Sequence, residues 1–90
     1  MRIDRYLHCI RVVKSRTLAQ GLLDGGHARI DGKRVEKPSE PVRVGSTIAL
    51  PLGDRVRVFR VTALPQRRGP ASEARTCYEE LGVDDSSPPT

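Results

Sequence analysis

The chain has 90 residues, a formal net charge of +5 and 37% hydrophobic but only 3% aromatic residues. That length allows one small core and excludes a cleft enzyme with a separate cofactor domain. The charge is unevenly placed: residues 1–70 carry 15 Lys and Arg against 6 Asp and Glu, whereas residues 71–90 carry 1 against 5. A surplus this one-sided implies a polyanionic partner, nucleic acid first, with a membrane surface or a merely solvated face as the alternatives.

Residues 2–12 place Ile3, Tyr6, Leu7 and Ile10 at spacings of three and four, the stripe of a helix buried on one side. Asp4 falls in its first turn, where it suits the positive end of the helix dipole, and Arg2 and Arg5 lie off the stripe. Ser15 is the expected N-cap of a second helix. There Leu18, Ala19, Leu22 and Leu23 fill one face, while Arg16 and Gln20 share the opposite one. Arg16, beside the helix N-terminus and close to Lys14 and Ser15, is placed for a phosphate contact. Gly25 and Gly26 are expected to stop the helix in the left-handed conformation.

Asp31-Gly32 between two short apolar-polar alternations predicts a two-residue hairpin, because both central positions need positive φ. Lys33, Arg34, Glu36 and Lys37 make its far side charged and mostly basic. Pro38 and Pro41 mark a connecting loop. Strands are expected at Val42–Val44, Thr47–Leu50 and Arg55–Leu64, the last with a β-bulge between Val58 and Phe59, where the apolar parity changes. Arg55, Arg57 and Arg60 are read as solvent-facing, serving solubility or a secondary RNA contact. Gly69-Pro70 opens a C-terminal helix over 67–82, in which Ala71, Ala74, Tyr78 and Leu81 follow the helical period. Residues 83–90 are acidic and rich in Pro and Ser, and are expected to be a disordered tail.

The pieces RIDRYL, KSRTLAQGLLDGGHARIDGKRVEKPS and VRVGSTIAL, from Arg2 to about Leu50, resemble the RNA-binding domain named after small-subunit ribosomal protein four, the αL motif. QRRGPASEARTCYEE resembles the C-terminal segment of the bacterial heat shock protein fifteen family. The resemblance implies an α+β fold over residues 1–66, with two N-terminal helices packed on a small antiparallel sheet and followed by a short C-terminal helix. It implies binding to structured RNA of the large ribosomal subunit, the 23S rRNA, on free subunits carrying a stalled nascent chain on transfer RNA, in recycling or rescue during the heat-shock response. Carried over by position, the RNA contacts are Arg2 and Arg5 on the first helix, Arg11 and Lys14 before the second, Ser15, Arg16 and Gln20 on it, and Lys33, Arg34 and Lys37 on the hairpin side. Family members often carry tryptophan where His8 stands, and a longer basic extension where this chain turns acidic.

No catalytic constellation is expected. His8 and Cys9 are adjacent, so on a helix they diverge by about 100 degrees, and no Cys or His pair has zinc-finger spacing. Cys9 and Cys77 do not make a disulfide framework. No leader and no apolar run of ~20 residues is present, so the expectation is a cytoplasmic monomer with reduced thiols, no cofactor and no membrane partner. Few aromatics and many cations imply recognition by phosphate position, which leaves non-specific DNA binding open. Two other readings are an RNA-targeting module acting with a separate RNA-modifying enzyme, and a basic protein-interaction domain.

Overall fold

The computed structural model describes residues 1–84. Helix α1 spans Ile3–Cys9 and α2 spans Arg16–Asp24, followed by strands β1 (Arg29–Ile30), β2 (Lys33–Arg34), β3 (Thr47–Leu52) and β4 (Arg55–Val61). A short helix α3 (Ala71–Ala74) and a 3-10 turn (Arg75–Cys77) lead into β5 (Tyr78–Asp84). The strands form one antiparallel sheet in the order β2-β1-β3-β4-β5. Its apolar face meets the helices in a core of Ile3, Tyr6, Leu7 and Ile10 from α1, Ala19 and Leu23 from α2, and Ile48, Leu50, Phe59 and Val61 from the sheet. The expected α+β architecture is present.

The start of α1 is capped by backbone rather than by a side chain. Ile3 N–H donates to Glu40 O at 2.8 Å and Asp4 N–H to Pro38 O at 3.2 Å, so the proline loop satisfies amides that the helix leaves unpaired. This frees the Asp4 carboxylate for other donors. Ser15 caps α2 as expected, its Oγ accepting from Leu18 N–H at 3.2 Å. Ser15→Ala should therefore lower stability by about 1 kcal/mol in urea denaturation.

The end of α2 differs from expectation: Gly25 keeps a right-handed φ of −67° and Gly26 alone, at +74°, makes the left-handed stop. Leu18 is also not part of the core, being 53% exposed. It sits in the first turn, where Ala19 and Leu23 already fill the face against α1. The hairpin forms where predicted, with Asp31 at φ 51° and Gly32 at φ 84°. Asp31 also fixes the start of β3, since its Oδ1 accepts from Thr47 N–H at 2.9 Å while its own N–H donates to Thr47 O at 2.8 Å.

Two sequence expectations are corrected on the sheet side. Val42–Val44 is not a strand: Val42 is buried but Val44 is 62% exposed, and the backbone turns through Gly45 at φ 95°. Arg57 is half-buried rather than solvent-facing, because it shares the core-side parity of Phe59 and Val61. Its guanidinium lies over the Phe59 and Tyr78 rings, 5.9 and 6.0 Å from their centroids, and donates twice to Glu80, at 3.0 and 3.1 Å. The hydrogen bonds that it donates to Glu80 raise the Arg57 pKa, against the effect of burial. The bulge expected between Val58 and Phe59 is present as a register shift there, with Leu81 of β5 as the extra residue, since Val58 pairs with Gly82 and Phe59 with Glu80.

The C-terminal helix stops at Ala74 instead of continuing to Gly82. Cys77 O accepts from Tyr6 O–H at 2.7 Å, from Thr62 N–H at 2.9 Å and from Ala63 N–H at 3.2 Å, which catches the chain at the open edge of β4. From Tyr78 onward, pairing with that edge outweighs the weak local helical preference. Val83 and Asp84, expected in the tail, pair with Arg57 and Val56; residues 85–90 of that expectation lie outside the described residues.

Candidate nucleic-acid interface

Asp4 organises one group of cationic side chains. Its carboxylate is fully buried and accepts from Arg2 Nε and Nη2, both at 3.1 Å, from Arg16 Nη2 at 3.3 Å, from Gln20 Nε2 at 3.2 Å and from Arg5 N–H at 2.7 Å. Burial alone would raise its pKa, but the hydrogen bonds from Gln20, the Arg5 amide, Arg16 and Arg2 together hold it below the ordinary carboxylate value. The Arg2 and Arg16 side chains remain about half exposed, at 50% and 45%. Each engages Asp4 along part of its guanidinium and keeps other N–H groups for a further acceptor. The result is two cationic forks from different helices at a fixed separation, presented to solvent.

The loop at residues 65–70 lies against α1. Arg5 Nη2 donates to Gln66 O at 2.8 Å, Arg11 Nε to Gly69 O at 2.7 Å and Arg68 Nε to His8 O at 3.1 Å. His8 is partly exposed, and its pKa is lowered first by partial burial and then by the charges of Arg68, Arg16 and Arg11.

The other expected site residues are spread more widely. Lys14, Lys33, Arg34 and Lys37 are all exposed. Arg34 lies beside the end of α2, its Cδ 3.7 Å from where a Cβ on Gly26 would stand, so the hairpin and α2 border one surface. Ser15 uses its hydroxyl for the helix cap. Thus Arg2, Arg16 and Gln20 converge on Asp4, Arg5 and Arg11 are tied to the 65–70 loop, and the hairpin cations share no side-chain hydrogen bond with either set. Asp4 and Arg68 are brought to this candidate surface without being among the residues expected from the sequence. A signal for Asp4 existed: it is the one carboxylate in the first 23 residues, surrounded by cations. Arg68 gave none, since only the tertiary fold brings it to His8.

A cleft of about 300 Å³ beside α3 is lined by Cys9, Gln66, Glu73 and Cys77 among others, with no histidine in its wall. Among the described residues, no group of three or more His, Cys, Asp or Glu is placed to hold a metal ion, and no helix is long and apolar enough to cross a membrane.

Residues 1–48 match the family model of the S4 domain. Along the whole fold, the trimeric structure of Vibrio cholerae heat shock protein 15 is similar at a TM-score of 0.83 and 32% identity, covering 90% of this chain and 81% of that one. The chain belongs to the heat shock protein 15 family of S4-domain proteins. Heat shock protein 15 of Escherichia coli strain K12 is 39% identical over 80 residues, 89% of this chain. The chain spans 59% of the length of that relative. The RQC P-site tRNA stabilizing factor of Listeria innocua is 27% identical over 88 residues, covering 96% of this chain and 95% of that protein. The S4 match ends at residue 48, so it contains α1, α2, the hairpin and the Asp4 group, while the Vibrio likeness extends over the sheet as well.

Proposed function

We propose that this chain is a non-enzymatic, cytoplasmic RNA-binding protein of the ribosome. It acts on structured RNA of the large subunit, the 23S rRNA, with peptidyl-tRNA within reach, and assists recycling or rescue of free subunits that hold a stalled nascent chain during heat stress. The observation that carries the reading is the Asp4 group: Arg2 and Arg16 fixed on one carboxylate at the surface of an S4 domain. Two prepositioned guanidinium forks suit phosphates of a folded RNA, because less side-chain freedom is lost on binding than with mobile lysines. The name of the Listeria relative, which refers to stabilizing P-site tRNA, supports the ribosomal setting. Lys33, Arg34 and Lys37 extend the surface along the hairpin, and Arg5, Arg11, Lys14, Ser15 and Gln20 complete the set. Contacts of this kind tolerate DNA phosphates as well, with lower selectivity.

Sedimentation of the tagged chain from a gentle lysate, with and without puromycin and at two salt concentrations, tests the reading. Co-migration with free large subunits, enriched while nascent chains are retained, is expected; recovery only at the top of the gradient at both salts removes the ribosome from consideration. The acting unit is taken as one copy of the chain. The Vibrio relative is trimeric, and sedimentation equilibrium of the isolated chain distinguishes the two states. Arg16→Ala is expected to weaken binding to structured RNA about tenfold and to reduce the salt slope by about one phosphate contact. An unchanged affinity and slope would make Arg16 a solvated charge.

A further inference from the structure

The loop at residues 65–70 supplies a cationic surface that lies outside the S4 match. Three arginine-to-carbonyl bonds hold it on α1, from Arg5 to Gln66, Arg11 to Gly69 and Arg68 to His8. Arg11 is also held at φ 63°, a conformation that a side-chain-bearing residue keeps only where surrounding contacts over-determine it. A guanidinium bonded to a neutral carbonyl has no counter-charge beside it, unlike one paired with a carboxylate. Among the described residues, the ion pairs involve Arg2, Arg16, Arg57 and Arg60, and none involves Arg5, Arg11 or Arg68.

These three arginines are exposed and come from three separate segments: α1, the turn that follows it and the loop after β4. With Arg16 of α2, Arg11 and Arg68 lie close enough to His8 for their combined charge to disfavour a further proton. The patch has no aromatic anchor of the kind on which protein interfaces centre, because Tyr6 and Phe59 are fully buried and Tyr78 packs on Phe59. Fixed guanidiniums without an apolar centre fit a phosphate backbone better than a protein partner.

We propose that Arg5, Arg11 and Arg68 form a second phosphate seat, continuous through Arg16 with the Asp4 group, which holds a further stretch of backbone of the same RNA. This rests on the RNA-binding reading above. Arg68 is its decisive member: its guanidinium is anchored at Nε by the α1 carbonyl and keeps its outer N–H groups for a phosphate. The seat adds contact outside residues 1–48, so the RNA footprint of the whole chain exceeds that of the S4 motif alone.

The test is fluorescence anisotropy of the full chain with a fluorescein-labelled RNA hairpin of about 20 base pairs, titrated across salt, for the wild type, Arg68→Ala, Arg68→Lys and Arg55→Ala. Arg55 is exposed at the β3–β4 turn and serves as a charge-matched control. Arg68→Ala is expected to weaken binding about three- to tenfold and to lower the salt slope by about 0.7 to 0.9, with Arg68→Lys between it and the wild type and Arg55→Ala within about twofold of it. NMR titration of His8 is a second readout: its pKa should rise in free Arg68→Ala, and in the wild type when the hairpin is added, as phosphates offset the arginine charges. If the wild type binds and Arg68→Ala stays within about twofold of it with an unchanged salt slope, the second seat is refuted and the RNA reading stands. If the wild type does not bind, both are lost. Weakening by Arg68→Ala of poly-glutamate binding alone would replace the RNA seat with a protein-binding one.

Discussion

Asp4→Asn is expected to weaken binding to structured RNA about tenfold, or ~1.4 kcal/mol, even though it makes the chain more positive. If the basic face acted only through net charge, removing a carboxylate would strengthen attraction to any polyanion. The geometry predicts the opposite for a folded RNA. Asp4 accepts from Arg2, Arg16, Gln20 and the Arg5 amide, and an asparagine replaces one of its acceptor oxygens with a donor that opposes those guanidiniums. The forks then lose their common anchor. Heparin, a flexible polyanion without fixed phosphate geometry, should bind the variant as well as or slightly better than the wild type. A parallel gain for RNA and heparin would reduce Asp4 to a charge to be minimised.

The same substitution should lower stability by about 2 kcal/mol near neutral pH, the range expected for hydrogen bonds to a charged group. The pH dependence follows from the direction of the Asp4 shift. Its folded-state pKa lies below the ordinary value of 3.8, so the ionised carboxylate stabilises the fold fully above that value. The contribution is lost as pH falls through the folded-state pKa. The stability difference between wild type and Asp4→Asn, measured by urea denaturation, should therefore be level from neutral pH down to about pH 5 and shrink below the ordinary carboxylate range. A difference that stayed level into strong acid would refute this role for Asp4.

Phe59→Ala is expected to cost about 3–5 kcal/mol, enough to threaten folding of a domain this small. Phe59 is fully buried, stacks edge-on against Tyr78 at 5.6 Å between centroids and carries the Arg57 guanidinium 5.9 Å from its ring centre. It therefore joins the core to the β4–β5 edge, beside the register shift. Trp is absent and Phe59 is the one Phe in the chain, which leaves Tyr78, already held in the β4–β5 pairing, as the ring beside the gap. Thermal unfolding followed by circular dichroism measures the effect; a loss below ~1 kcal/mol would mean that the core collapses around the gap.

The parts of the fold set by local chemistry were legible in advance. The α1 stripe, the Ser15 cap and the Asp31-Gly32 turn each depend on a few neighbouring residues whose backbone preferences agree with the final structure. The expected site residues Arg2, Arg16 and Gln20 do meet, because α1 and α2 pack closely enough for residues on both to reach Asp4. From the sequence, Asp4 reads as a helix-dipole partner. That reading is incomplete because the proline loop, distant in sequence, supplies acceptors for the start of α1.

The residues after Val61 show the opposite case. Ala71, Ala74, Tyr78 and Leu81 have a helical spacing, yet helix persists only to Ala74, since the open edge of β4 offers Tyr78–Asp84 a full ladder of backbone partners. Arg57 alternates like a solvent residue but lies half-buried over two rings, a placement that depends on Tyr78 and Glu80 arriving from β5. Sequence by itself determined the basic character of the chain, its α+β class, its cap and hairpin turn and most members of the cationic surface, because composition, periodicity and turn chemistry act over a few residues. Tertiary structure alone decided the Asp4 anchor, the approach of Arg68 to His8 and the final strand, because each depends on groups far apart in the chain whose meeting is set by the packing of the whole core.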